Sequence, residues 1–100
     1  MLRGLQALIS HCGLAFALMF AVAFIGVAVT GPTVSAAERT VLVVGVLDLV
    51  IAGGTIWHFA AASASFSSGL GRVVWTVVGV GAVAVVATGM FFVSVLSLNR

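Results

Sequence analysis

Three apolar runs, 5–30, 40–64 and 73–98, make up most of this 100-residue chain and carry one charged side chain among them, Asp48. A hydrocarbon layer about 30 Å thick is crossed by about 20 helical residues, so each run is long enough to span it. Within lipid the backbone must satisfy its own hydrogen bonds, which leaves helices or a closed barrel. The valine-rich segments lack the polar alternation of barrel strands, and one chain this short cannot close a ring here. The expected fold is therefore all-α, an integral membrane protein of three antiparallel transmembrane helices over about 5–30, 38–64 and 73–98. Together they form a single domain over 1–100.

Composition rules out the soluble alternatives. Hydrophobic residues make up 63% of the chain and charged residues 6%, against about 25% charged in soluble domains. The net charge of +2 comes from four arginines and two acids. No basic patch with interleaved aromatics accompanies it, so no nucleic acid partner is expected. The lone Cys12 excludes an internal disulfide and a zinc site built from cysteines alone.

Along the first run, Ser10, Gly13, Ala17, Ala21 and Ala28 recur at helical spacing and offer a face for close helix packing. Val34-Ser35-Ala36 before Ala37 also fits a small-residue signal-peptidase site behind an arginine-bearing start. The apolar stretch before it exceeds the usual 7–15 residues of a signal core, so retention is expected. Gly31-Pro32-Thr33 ends the first helix, because proline lacks a backbone donor and disfavours helix in the residue before it. Ser35 and Glu38 have the spacing of a capping box at the start of the second helix, and Glu38 and Arg39 are expected in solvent at the membrane surface. In that helix Gly45, Asp48, Ala52 and Thr55 share one face, which turns Asp48 toward other helices. Gly53-Gly54 permits a bend or a close contact. The serine- and glycine-rich stretch 61–72 reads as a mobile second connection. On the third helix Gly81, Ala84 and Thr88, with Gly79 and Gly89 nearby, repeat the close-packing pattern. Trp57 and Trp75 suit the interface, and Asn99-Arg100 forms a polar stop.

The arginines tie as topology signals, with Arg3 and Arg72 on one side and Arg39 and Arg100 on the other. Glu38 and the terminal carboxylate offset the second pair, so the expected arrangement in the cell membrane is N-terminus in and C-terminus out.

Few residues can carry chemistry. An ionised acid at the centre of a span costs roughly 3 kcal/mol on insertion scales, so Asp48 is expected to be buried in the bundle, hydrogen-bonded or protonated. Antiparallel threading brings Thr88 to a similar depth and makes it the best donor within the chain. Asp48 can serve as a buried polar contact between helices or with a partner subunit, or as a proton or cation site. The same threading gathers His11, Cys12, His58 and Trp75 at one face, with each histidine about 8–9 Å inside its helix end. Two imidazoles on neighbouring helices can ligate a haem or chlorin, or a metal together with the thiolate. The simpler role for them is that of interfacial histidines met by water, headgroups or serines, so no metal and no resident cofactor is expected. No phosphate loop, no serine with its base and no paired carboxylates occur in the sequence, so no enzymatic activity is expected.

The order Gly31-Pro32-Thr33, then Glu38-Arg39, then Asp48 resembles that of the small F-type subunit of multisubunit sodium/proton antiporters. Those are also short three-helix membrane proteins with a buried aspartate. Here the acid-arginine pair follows the threonine at a longer interval, the arginine-to-aspartate gap is longer, and the third run adds nothing. The resemblance covers residues 31–48 and does not amount to membership. It implies an ion-translocation role for Asp48.

Three functions follow as expectations. The first is a small accessory or assembly subunit of a larger membrane complex, packing against the lipid bilayer and against other membrane subunits or its own copies through small-residue faces, with Asp48 as buried contact. The second is a proton or cation transport subunit or a holin-like pore element using Asp48. The third is a haem- or pigment-binding subunit using His11 and His58. Because the first run is expected to be retained, sequencing the membrane-inserted protein from its N-terminus should return the residues ahead of Ala37; a mature chain starting at Ala37 would leave only two crossings.

Overall fold

The computed structural model describes residues 2–98 and is entirely helical, with α1 (Leu2–Val29), α2 (Val34–Ser63) and α3 (Leu70–Leu98). Each helix is long and apolar enough to cross a membrane. At 28, 30 and 29 residues they reach about 42–45 Å, so their ends extend beyond the hydrocarbon layer. The bundle measures 51 × 17 × 16 Å, a rod in which each helix packs on both others.

Contacts between helices define the threading. His11 meets Phe59 near one end of the α1–α2 pair, and Gly26 lies under Val44 and Thr40 near the other. Between α2 and α3, Phe59 packs over Gly79 and Phe91 approaches Gly45. Each pair runs in opposite senses, so α2 is antiparallel to both neighbours and α1 is parallel to α3.

Both connections are shorter than the sequence suggests. Thr33, and not Ser35, is the N-cap of α2: its hydroxyl accepts from the Ala36 amide at 3.0 Å, and its extended backbone starts the helix at Val34. The segment 34–37 is thus the first helical turn, and Glu38 and Arg39 are exposed one turn further in. At the other end α2 continues through the alanines to Ser63, because alanine favours helix and the Ser63 hydroxyl donates back to the Ala60 carbonyl at 2.6 Å. The connection is 64–69, tied down by amide bonds from Ser65 to Ala62 and from Ser67 to Ser63. Gly69, at φ +58°, makes the left-handed turn into α3. Arg72 then donates to the Ser63 hydroxyl at 3.3 Å and to the Ala60 carbonyl at 3.4 Å, which joins the two helix ends. At the opposite end the hydroxyls of Thr30 and Thr40 meet at 2.5 Å and join α1 to α2. Asn99 and Arg100, the expected polar stop, lie outside the described residues.

The core is a narrow seam. Ala15, Met19 and Ala23 from α1 pack with Ala52 of α2 and with Val83 and Met90 of α3. Its largest buried side chain is Phe59, whose ring edge meets His11 at 5.6 Å between centroids and lies against Phe66 at 6.3 Å. Two glycines make room for aromatics here. A Cβ on Gly79 would strike the Phe59 ring, and one on Gly4 would strike the Trp75 indole. Trp75 is thereby drawn half into the bundle and stacks edge-on to Phe66, while Trp57 stays 77% exposed.

The expected small-residue face of α1 is turned outward. Ser10, Gly13, Ala17, Ala21 and Ala28 are all exposed, as are Gly81, Ala84, Thr88 and Gly89 on α3. Nothing lies within 4 Å of an added Cβ at Gly13, Gly53, Gly54, Gly81 or Gly89. The seam instead follows the four-residue series through Ala15, Met19 and Ala23. Gly79→Ala should therefore lower the thermal midpoint in detergent, by an overpacking cost of about 1–3 kcal/mol, whereas Gly81→Ala should leave it unchanged or slightly raised.

Candidate functional site

Asp48 sits at the middle of α2, in the inward series Val44, Asp48, Ala52. Fourteen residues precede it from Val34, which puts it roughly 21 Å from either helix end. No position on α2 is further from water. It is 3% exposed, and neither carboxyl oxygen has a hydrogen-bond partner among the described residues. Buried polar groups are ordinarily paired, because an unpaired one forfeits its hydration with no return. The described arginines give it no help. Arg3, Arg39 and Arg72 are exposed near helix ends, and Arg72 is engaged with Ser63 and Ala60.

Asp48 forms the floor of a groove of about 430 Å³ between α2 and α3. Gly45 and Ala87 line its half-buried walls, Leu42, Leu49 and Thr88 its exposed edge, and Phe91 closes the α3 side. The groove exists because Gly45 carries no side chain: a Cβ there would come within 3.1 Å of Phe91 Cε2. Thr88 and Asp48 thus share the groove, yet no hydrogen bond joins them. Among the described residues the Thr88 hydroxyl has no partner, whereas Thr76 donates to the carbonyl four residues back and Thr30 and Thr40 bond to each other. The sequence places Gly45 on the face of Asp48 but does not single out Phe91. The signal for Phe91 was its position one turn after Ala87 and Thr88.

The histidines line a second groove, of about 450 Å³, between α1 and α2, along with Leu14, Leu18, Ile51, Gly54 and Thr55. His11 is deeper than the sequence suggests, roughly 14 Å from the start of α1, because that helix begins at Leu2. His58 is roughly 7 Å from the end of α2 and is exposed. The Nδ1 of His11 lies 2.7 Å from the Ala7 carbonyl. A carbonyl only accepts, so the Nδ1–H donates to it and fixes the ring's orientation. Cys12 does not line this groove; it packs against the core seam. Among the described residues no three of His, Cys, Asp or Glu come together as a metal would need. What remains is a pair of imidazoles, of which only that of His11 is held by a hydrogen bond among the described residues.

Comparison with family models, with characterised proteins and with solved structures gives no match to this chain. The reading of function therefore rests on the site itself.

No resident tetrapyrrole is expected in the α1–α2 groove, so the purified protein should show no visible absorption band. A Soret or chlorin band that disappears in His11→Ala or His58→Ala would make this groove the functional site.

Proposed function

We propose that the chain is a small accessory or assembly subunit of a larger membrane protein complex, held to its partner at the groove floored by Asp48. The observation that carries this reading is the unpaired carboxyl at mid-span. An acid at that depth is costly in the lone chain, and the cost is met most directly by a group supplied from outside it. The outward small-residue faces of α1 and α3 support the same reading, since helices in lipid associate through close backbone approach, and these faces are not used inside the bundle.

The transport alternative is less well supported. A path for a proton or cation needs a series of polar stations, and the described spans hold a single buried acid, whose oxygens are covered. As a subunit the chain resides in the cell membrane with its N-terminus in and its C-terminus out, the side with the unopposed arginines facing the cytoplasm.

The test is retention of partners in mild detergent. The wild-type chain should co-purify with at least one other membrane protein at fixed stoichiometry. Asp48→Val should lose that protein while the isolated chain becomes more stable by about 1–3 kcal/mol, because an unpaired buried group has been removed. Recovery of wild type as a lone monomer would sink the proposal, and cation flux in vesicles abolished by Asp48→Asn would replace it with the transport reading.

A further inference from the structure

We infer that the occupant of the α2–α3 groove is a transmembrane helix of a different chain carrying a lysine or arginine at the depth of Asp48, an inference that rests on the subunit reading above. Charge complementarity decides the partner's chemistry. A carboxylate surrounded by hydrocarbon is stabilised most by an opposite charge, since attraction grows as the dielectric falls. A basic residue in the middle of another span carries its own insertion cost, of roughly 3 kcal/mol, so pairing relieves both chains at once.

The described residues of a second copy of this chain supply no such charge at that depth. Arg39 is the basic residue nearest in depth among those described, and it lies nine residues from Asp48, or roughly 13 Å along the helix. Arg3 and Arg72 sit within the first turn of α1 and α3. Because Asp48 is at the centre of α2, turning a second copy upside down does not bring its arginines nearer. Among its described residues another copy offers hydroxyls such as Thr88 at that depth and no cation.

The shape of the groove suits a helix. Gly45, Ala87 and Thr88 keep the walls low, so a helix axis can come close. The exposed positions Gly81 and Ala84 continue the path along α3. Asp48 lies on the floor and its oxygens are covered in the lone chain, so the incoming side chain has to part the flexible rim formed by Leu42, Leu49 and Phe91. Lysine and arginine have the length to do this from a helix resting on that rim.

The experiment uses the full chain, donor-labelled, in phosphatidylcholine vesicles with acceptor-labelled synthetic Leu/Ala transmembrane peptides that differ only in a central Lys, Gln or Leu. Energy transfer should report association about three- to ten-fold tighter for the Lys peptide than for the Leu peptide. The preference should vanish in Asp48→Asn, whose helical circular dichroism is checked to be unchanged, and persist in Gly54→Ala, a change in the separate α1–α2 groove. Equal binding of the Lys and Leu peptides overturns the inference, as does a preference that survives in Asp48→Asn. A Gln peptide that binds as tightly as the Lys peptide overturns the charge requirement and leaves the docked helix standing. Energy transfer between two labelled copies of this chain that Asp48→Asn abolishes overturns the foreign partner in favour of self-association. If the native protein purifies alone while the Lys peptide still binds selectively, the groove chemistry holds and the subunit reading fails.

Discussion

The absence of water from the hydrocarbon layer governs this structure. Every backbone donor and acceptor in the spans must find its partner inside a helix, which commits the chain to three long rods and short turns at their ends. The same absence removes the usual hydrophobic drive between helices, since lipid tails are as apolar as Leu or Val. What is left to hold the rods together is shape. The seam of Ala15, Met19, Ala23, Ala52, Val83 and Met90 is narrow, and the largest buried ring, Phe59, fits only because Gly79 has no Cβ.

Polar groups are placed accordingly. At both ends of the bundle, where headgroups and water are near, hydroxyls and Arg72 join helix to helix through Ser63 and through the Thr30–Thr40 contact. In the middle stands Asp48, with no hydrogen-bond partner among the described residues. The contrast gives Asp48 its meaning: the chain arranges partners for its terminal polar groups and arranges none for the central one. A groove opens at that level because Gly45 faces Phe91.

Parts of this were legible in the residues alone. Three uncharged or nearly uncharged runs of spanning length allow little else than three membrane helices, and the Gly31-Pro32-Thr33 break locates the first turn. The ends were less legible. Ser35 and Glu38 have capping-box spacing, but Thr33 lies directly after the proline and takes the cap first, so α2 starts earlier. The serine-rich stretch after α2 contains strong helix formers as well as breakers, and the alanines prevail as far as Ser63. The packing faces were the hardest to read. Small residues recur around all sides of these helices, and spacing alone does not say whether Ala17 and Ala21 or Ala15 and Ala23 face the seam.

The sequence by itself determined that the chain is made of membrane-spanning helices, that its one mid-span acid is Asp48, and that its cations lie near the ends of the runs, because length, apolarity and the positions of charge are local properties. Only the tertiary structure decided that Asp48 has no partner within the described chain, that Thr88 shares its groove without bonding to it, and that the small-residue faces point outward. Those outcomes depend on the rotation of each helix about its axis. In lipid that rotation is set by which side chains interlock, Phe59 over Gly79 and Val44 over Gly26, and the interlocking is a property of three helices together.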